Sequence, residues 1–463
     1  MTTGCTALGV PGFIAATHDG DSSPQERAWS RANANVLLTN PEMLHVSMLP
    51  NHARWAEFLH RLRFVVVDEL HVLRGMFGSN VAHVLRRLRR LCAHYGSDPV
   101  FVLTSATIGG AAELASELTG LDVVTVSDDG SPRGERLFLV WDPSAEADPS
   151  EQRSSSRDAS MWQQAGRAGR DASTSLAVLV TGDDQLDRWF LTHPDQLFAR
   201  DVERCVINPA NPHVLLPQLA CAAYELPLAS DDEQWWPDDA VRELVLDDHL
   251  RMRPTSASRP PAAVWAGRGR PADGVGLRSA GGDEFVIADV KGDIIGTVDG
   301  ARALRVVHPG AVYLHQGSSW RVTDLDLDHR VATVEADDGD EYTQPRSRTD
   351  IEIISTEAHR SVGGADLHLG VVRVRTDITG YRRLHTRTRE QLGVHDLDLP
   401  TLELVTRALW YVFDDDLIDE AGIEPADLPG ALHAIEHAAI GILPLIAMCD
   451  RWDIGRRPRL CVC

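Results

Sequence analysis

Between residues 36 and 143 the sequence switches repeatedly between two hydrophobic periods, and this alternation constrains the fold more than any other feature. VLLTN (36–40), FVVVDE (64–69), VFVLTSAT (100–107), VVTVS (123–127) and LFLVW (137–141) are short apolar runs rich in β-branched residues. That is the pattern of strands buried on both faces of a parallel sheet. Between them, VAHVLRRLRRLCAHY (81–95) and AAELASELTG (111–120) repeat apolar residues at helical spacing, the second closing on a glycine stop. Strands and helices in alternation predict a doubly wound α/β domain. Three of the runs end in polar residues: Thr39, Asn40, Pro41 and Glu42; Asp68, Glu69 and His71; Ser105 and Thr107. In an open α/β sheet the C-terminal ends of parallel strands line one crevice, so these side chains are candidates for a shared ligand site.

The rest of the chain divides by composition. Residues 144–160, SAEADPSEQRSSSRDAS, hold no large apolar residue and read as a linker. Residues 161–182 follow with MWQQAGRAGR and the apolar strand SLAVLVTG. Residues 183–254 read as a helical segment, and 255–358 alternate as a small antiparallel β domain. Residues 359–463 read as mixed and mainly helical: a strand at GVVRVRTDI (370–378), then helices through TLELVTRALWYVFDDDLI (401–418) and LPGALHAIEHAAIGILPLIAM (428–448).

Bulk chemistry excludes some classes. The chain has 463 residues, 43% of them hydrophobic and 24% charged, as in a globular protein of several domains. A net charge of −23 argues against a generally basic nucleic-acid coat, though a local arginine-lined groove remains compatible with DNA. Seven cysteines without a regular framework point to a reducing compartment. The first residues lack a signal-peptide pattern, and the longest apolar run (438–447) contains Pro444 and is too short to span a bilayer. A cytoplasmic protein without a membrane partner is the expectation.

The polar strand ends gain force from their order, which continues with Gln163, Gly166, Arg167, Gly169 and Arg170. This order resembles the DExH subgroup of superfamily 2 helicases. THDGDSSPQERAW (17–29), TNPEMLHVSMLPNH (39–52), VVVDELHVLRGMFGS (65–79) and EHAAIGILPLIAMCDRWDIG (436–455) are similar to the MrfA/SftH branch, relatives of the fungal Hrq helicases. The resemblance implies a RecA-like lobe, a winged-helix-like segment over 183–254, and ATP-driven 3′-to-5′ DNA unwinding linked to repair. It implies that Asp68 holds Mg²⁺, that Glu69 polarises the hydrolytic water, and that His71, Ser105 and Thr107 couple nucleotide state to lobe movement. Gln163 and Gly166 would contact ATP, and Arg167 and Arg170 would reach its γ-phosphate. Thr39, Asn40, Pro41 and Glu42 would lie along DNA, single-stranded or with a 3′ tail. Arg86, Arg87, Arg89 and Arg90 read as a solvated helix face in preference to a DNA contact.

The sequence departs from that family in three places. No G-x-x-x-x-G-K-S/T loop occurs, and the one lysine, Lys291, sits in DVKGDII. Arginine does not replace the compact ammonium of a phosphate loop. The family's first motifs precede the point where this sequence starts. Only 55 residues separate Thr107 from Gln163, too few for a second RecA-like lobe, so residues 1–143 read as a partial lobe one and 161–182 as a remnant of lobe two. Strands without neighbours should then expose edges and apolar faces. Finally, Cys461 and Cys463, even with Cys449, do not supply a four-cysteine zinc cluster, and no zinc is expected. The chain thus reads as a truncated, internally deleted helicase with impaired ATP use; the alternative is a catalytically dead DNA-binding or protein-interaction remnant. A competing match, His433-x-x-Glu436-His437, has the spacing of an inverted zinc-peptidase helix and lacks a third ligand.

Overall fold

The computed structural model describes residues 12–20, 22–105, 108–127, 130, 134–142, 165, 168, 174–181, 185–199, 204–255, 260–278, 284–315, 317–442 and 447–448. The chain falls into two compact units, one of Met1–Gly281 with Ala438–Ile454, the other of Gly282–His437 with Gly455–Cys463. The linker 144–160 and the residues Thr107, Gln163, Gly166, Arg167, Arg170, Cys449, Cys461 and Cys463 lie outside the described residues.

The first unit begins with parallel strand pairs. β1 (Ala15–Thr17) pairs with β2 (Val36–Leu38), joined by helix α1 (Pro24–Asn33). Ser23 caps α1, accepting from the Glu26 N–H while Glu26 returns a bond to the Ser23 N–H, a reciprocal cap that fixes the helix start. β3 (Phe64–Val67) pairs in parallel with β4 (Val100–Leu103), and the connection between them is helix α2 (Gly75–Tyr95). Gly78 lets α2 approach its neighbours: a Cβ there would stand 2.5 Å from the Leu73 carbonyl oxygen and 2.6 Å from Ile207. Helix α3 (Ala111–Thr119) follows β4 and ends at Gly120 in the left-handed region. Leu70, Leu73, Val81, Leu85, Leu114 and Leu118 form one core beneath β3 and β4; Met48, Leu49, Trp55, Leu88 and Leu91 form a second on the other side of α2.

Two expectations fail here. VVTVS (123–127) is not a strand. LFLVW, read as a strand of the 36–143 domain, forms β5 (Arg136–Trp141) and hydrogen-bonds in parallel to β6 (Ser175–Val180), which lies beyond the linker. The described parallel strands of the first unit therefore stand as separate two-stranded pairs. Strand faces are open: Phe64 is 63% and Val66 66% exposed, and Val100, Val102, Leu137, Leu139, Leu176 and Val178 are also exposed. Strands that read as fully buried are thus exposed on one face where the described residues supply no further neighbour.

β7 (Arg204–Cys205) precedes a compact motif of α4 (Pro212–Glu225), α5 (Asp238–Leu246) and the antiparallel hairpin β8 (Leu250–Arg253) and β9 (Ala262–Trp265). Leu219, Leu228, Trp236, Leu244, Leu250 and Ala263 form its core, so the hairpin packs with the helices. The boundary expected between 254 and 255 falls inside this hairpin.

The second unit starts with a five-stranded sheet of β10 (Glu284–Asp289), β11 (Ile294–Asp299), β12 (Val312–His315), β13 (Ser318–Asp326) and β14 (Val331–Ala336), in the order β11-β10-β14-β13-β12. β10 and β14 run parallel and the other neighbours antiparallel, so the sheet is mixed, with α6 (Gly300–Val306) packed through Ala303 onto Phe285 and Ile287. An antiparallel sheet follows: the long hairpin β15 (Glu341–Val362) and β16 (Ala365–His385), flanked by β17 (Gln391–Asp396) and β18 (Leu402–Phe413). The helix expected over 401–418 is thus a strand for most of its length. Val405, Thr406, Trp410, Tyr411, Val412 and Phe413 favour a pleated surface, and pairing of Leu402–Phe413 with Thr376–Ala365 of β16 decides the matter. Among the described residues of 359–463, helix is confined to α7 (Asp415–Glu420) and α8 (Leu428–Ile442), so the domain expected to be mainly helical is about half sheet there. In the first unit, β19 (Ala447–Met448) pairs in parallel with β7. No described helix is long and apolar enough to cross a membrane.

Candidate nucleotide and nucleic-acid site

β3 delivers Asp68 at its C-terminal end, and the neighbouring strand holds it. The Thr104 hydroxyl, one residue past β4, donates to Asp68 Oδ1, and the Glu69 N–H donates to the same oxygen at 3.0 Å. These bonds, the Thr104 hydroxyl first, hold the Asp68 carboxyl below the usual carboxylate range, so it presents an exposed, ionised carboxylate. Thr104 was not singled out by the sequence; its place directly before Ser105, facing the residue after β3 in a parallel register, was the available signal. Ser105 is exposed beside it.

Glu69 turns the chain out of the sheet. Its φ of 53° and ψ of 50° are left-handed, a conformation that costs a non-glycine residue about 1–3 kcal/mol and persists only where the surroundings impose it. Here they do: the Leu70 N–H bonds to the Thr104 carbonyl at 2.8 Å, the Val72 N–H to the Glu69 carbonyl at 2.9 Å, and Leu70 is buried. The turn leaves the Glu69 carboxylate half-exposed with Oε2 3.3 Å from Nδ1 of His71. His71 is 8% exposed, and its carbonyl accepts from the Cys205 thiol at 3.5 Å. Asp68, Glu69, His71, Thr104 and Ser105 are therefore gathered at one end of the β3–β4 pair.

The Thr39–Glu42 segment stands at the end of β2, and its polar atoms already have work. The Thr39 hydroxyl donates to the His18 carbonyl at 2.7 Å. Asn40 Oδ1 accepts from the Met43 N–H at 2.8 Å and caps the helical turn that Pro41 begins. Glu42 receives Arg278 Nε at 2.8 Å, and the Arg278 guanidinium lies 3.8 Å above the Phe77 ring.

The arginines of α2 are not a solvated face: Arg87 and Arg90 are buried, and Arg86 and Arg89 half-buried. Arg87 is fully buried: Nε donates to both Glu225 oxygens at 3.1 Å, and Nη1 to Gln218 Oε1 at 2.7 Å and to His45 Nδ1 at 2.8 Å. Arg90 grips Asp232 and donates to the carbonyls of Ala222, Leu226 and Pro227. Arg86 and Arg89 reach the terminal carbonyls of α3, at Glu117, Thr119 and Gly120, where a helix end carries partial negative charge. Two histidines complete the seam between α2 and the α4–α5 motif. His45 accepts from Arg87 at Nδ1 and donates from Nε2 to the Val275 carbonyl at 2.9 Å; burial, then the nearby Arg87 charge, lowers its pKa to about 4. His83 donates from Nε2 to the Pro209 carbonyl and accepts from Trp236 Nε1 at 3.1 Å, and burial lowers its pKa to about 3. Both are neutral at pH 7.

The competing peptidase motif is on α8. Nε2 of His433 and of His437 are 3.1 Å apart and Glu436 Oε2 is 3.4 Å from His433 Nδ1, but among the described residues these three do not converge as a metal-ligand group.

Comparison with known proteins places this geometry. The DEAD/DEAH box helicase model matches residues 7–114, and the winged helix domain of the ATP-dependent helicase HRQ1 matches residues 207–280, the α4–α5 motif with its hairpin. The ATP-dependent helicase YprA of Bacillus subtilis is 31% identical across 95% of this chain and 71% of its own length. The chain belongs to the Hrq/MrfA-like superfamily 2 helicases. Within that family, the ATP-dependent helicase HRQ1 of Saccharomyces cerevisiae is 26% identical across 93% of this chain and 50% of its own. The crystal structure of the DUF1998 helicase MrfA bound to DNA superposes with a TM-score of 0.66 at 30% identity, covering 96% of this chain and 72% of that one. The alignments with the Bacillus and yeast helicases run over 544 and 549 residues, longer than the 463 present here, so stretches of both relatives face gaps in this chain.

A family of ATP-dependent helicases uses ATP, commonly with magnesium, and the residues of this Hrq/MrfA-like chain fit one half of that requirement. An ionised, exposed Asp68 at a strand end suits the hard oxygen coordination of Mg²⁺. The phosphates have no corresponding cradle among the described residues. Lys291 lies in the turn between β10 and β11, where its N–H donates to Asp289 at 2.8 Å.

Proposed function

We propose that this chain descends from an ATP-dependent 3′-to-5′ DNA helicase and that its 463 residues bind DNA with ATP turnover impaired. The observation that carries the reading is the contrast between a built carboxylate pair and a missing phosphate loop. Thr104 and the turn at Glu69 hold Asp68 and Glu69 in place, whereas no glycine loop ending in lysine occurs in the sequence. Backbone amides and a lysine are what hold the β- and γ-phosphates in such enzymes. The gaps opposite both relatives support the loss of internal segments from this chain.

In this reading Asp68 holds magnesium through its ionised oxygen, and Glu69 orients a water and takes its proton. Magnesium, when bound, would supply charge neutralisation for phosphate oxygens. His71, beside Glu69, links the carboxylates to the core, with Ser105 and Thr107 following on the neighbouring strand. Gln163, Gly166, Arg167 and Arg170 belong to the opposite wall, and Thr39, Asn40, Pro41 and Glu42 to the DNA path. Buried thiols suit a reducing, cytoplasmic setting: burial pushes Cys92 up to about 11 and Cys221 up to about 12.

The test is steady-state ATP hydrolysis with and without single-stranded DNA, with 3′-tailed duplex unwinding and salt-dependent DNA binding alongside. Binding that weakens linearly in log salt without DNA-stimulated turnover is the expected result. Turnover abolished by Glu69→Gln would overturn the impairment. A second reading, a remnant that binds a protein, rests on the exposed apolar face of Phe64, Val66, Val100 and Val102, and absence of DNA binding would favour it.

A further inference from the structure

The hairpin of β15 and β16 brings together three side chains that the helicase reading leaves unused. Its turn is Gly363–Gly364, with φ of 58° and 84°, the two left-handed positions of a tight hairpin turn that glycine occupies without strain. A Cβ on Gly364 would also stand 3.3 Å from Leu417 of α7. The turn sets a register in which Val362 faces Ala365, Ser361 faces Asp366 and His359 faces His368. Ser361, Asp366, His359 and His368 thus project from the same face, two cross-strand pairs in succession.

We infer that His359, Asp366 and His368 form a transition-metal site suited to Zn²⁺. Each offers one ligand atom, and these atoms lie within 4.8 Å of one another. His359 Nε2 is 3.2 Å from Asp366 Oδ1, close to the roughly 3.3 Å edge of a tetrahedron whose metal–ligand bonds are about 2.0–2.1 Å. The two imidazole centroids are 4.9 Å apart. The supporting contacts resemble those of an outer coordination shell. The Ser361 hydroxyl donates to Asp366 and fixes the carboxylate, while the Trp410 ring stacks on His368 with centroids 5.6 Å apart. Nδ1 of His368 is buried with no hydrogen-bond partner among the described residues, so this nitrogen is not committed elsewhere. The ordinary alternative, a surface His–Asp ion pair, accounts for the contact of His359 with Asp366. It accounts neither for the second imidazole nor for its unsatisfied nitrogen.

Ligand chemistry selects the ion. Two imidazoles and one carboxylate favour zinc and its divalent transition-metal neighbours over Mg²⁺ or Ca²⁺, which prefer all-oxygen shells. Three protein ligands, with His359 exposed, leave a fourth position to solvent. This site shares no residue with the carboxylates at Asp68 and Glu69 and is independent of the helicase reading.

The experiment uses the full chain, stripped of metal with chelator and titrated with Co²⁺ as a visible probe, then with Zn²⁺ in competition. One equivalent should bind at micromolar metal with a ligand-field spectrum that Zn²⁺ abolishes. His359→Ala and His368→Ala should each weaken binding at least about 100-fold, the upper end of what even an outer-shell loss costs. Asp366→Asn, which keeps the size of the side chain and an oxygen for Ser361, should weaken it too, and its chelated form should melt with the chelated wild type. Cys461→Ser with Cys463→Ser, and His433→Ala with His437→Ala, should leave binding unchanged. Absence of saturable binding at micromolar Co²⁺, or binding that survives His359→Ala with His368→Ala, would overturn the assignment.

Discussion

Replacing Arg87 by alanine tests whether the arginine helix is an internal brace or a nucleic-acid contact. Arg87 and Glu225 are 0% and 1% exposed at their side chains, and the guanidinium also satisfies Gln218 and His45. Removing one partner of such a pair leaves the other charge buried without compensation, which costs about 3–5 kcal/mol. The surrounding unit runs to Gly281, beyond the size range for which about 1 kcal/mol shifts the midpoint by roughly 2–4 °C, so the lower figure applies. A fall of roughly 6–10 °C is expected by calorimetry or circular dichroism. Arg87→Met with Glu225→Leu should recover a large part of that loss, because two apolar side chains of similar volume remove the uncompensated charge.

The second readout separates the two roles. A side chain that neutralises a phosphate of a single strand contributes about 0.7 to the slope of log affinity against log salt, and its removal lowers the slope by that amount. Arg87 has no exposed atom to offer a phosphate, so Arg87→Ala, assayed below its melting temperature, should bind single-stranded DNA with the wild-type salt slope. A variant melting within about 1 °C of wild type, or a slope lowered by about 0.7, would refute the brace.

Other expectations follow from the same contacts. His45 and His83 have folded pKa values lowered to about 4 and about 3, so the native state excludes protons that the unfolded chain takes up. Stability is therefore whole above the unfolded value near 6.5 and lost as pH falls below it; at pH 5 each histidine should cost about 2 kcal/mol, and His83→Gln should flatten a urea-midpoint titration between pH 6.5 and 5. An unchanged slope would contradict the assigned burial. Thr104→Val removes the hydroxyl that lowers the Asp68 pKa, so a carboxyl ¹³C titration should find it raised; an unshifted Asp68 would mean that the bond does not form in solution. Val66→Lys with Val102→Lys places charge on an open sheet face and should reduce light scattering on heating at a stability cost within about 1 kcal/mol, whereas a loss of several kcal/mol would show that the face is covered.

The local parts of this fold were legible because local chemistry decides them. FVVVDELH and VFVLTSAT end where valine runs meet residues that cannot continue a buried strand, and both strands form there. The segment 402–413 was not legible in the same way. Leu402, Val405, Leu409 and Val412 satisfy a helical period, while the same residues belong to a strand once β16 presents twelve paired positions. Periodicity could not choose, and the partner strand did. The arginines failed for a related reason: Glu225 lies 138 residues from Arg87, and a helix bearing four arginines looks solvated until its distant counter-charges are placed. LFLVW was legible as a strand but not in its pairing, since β6 lies beyond the linker.

The features that identify this family are also those least able to report whether the chain still turns over ATP. Asp68 needs only Thr104 from the next strand and the N–H of Glu69 to be held ionised. Glu69 needs only the β4 end and a buried Leu70 to be held in its turn. Neither depends on a phosphate loop or on the wall that Arg167 and Arg170 would form, so the carboxylates can persist in shape after coupling is lost. The brace at Arg87 belongs to the same class, since it joins lobe-one helix α2 to the winged-helix motif without touching a nucleotide. A chain that keeps both should keep the DNA-facing body of the helicase as a folded unit while ATP leaves its affinity unchanged. Comparing DNA affinity with and without magnesium–ATP is therefore the sharper measurement: coupling between the two ligands, equal in both directions by linkage, would require phosphate contacts and would overturn the proposed impairment.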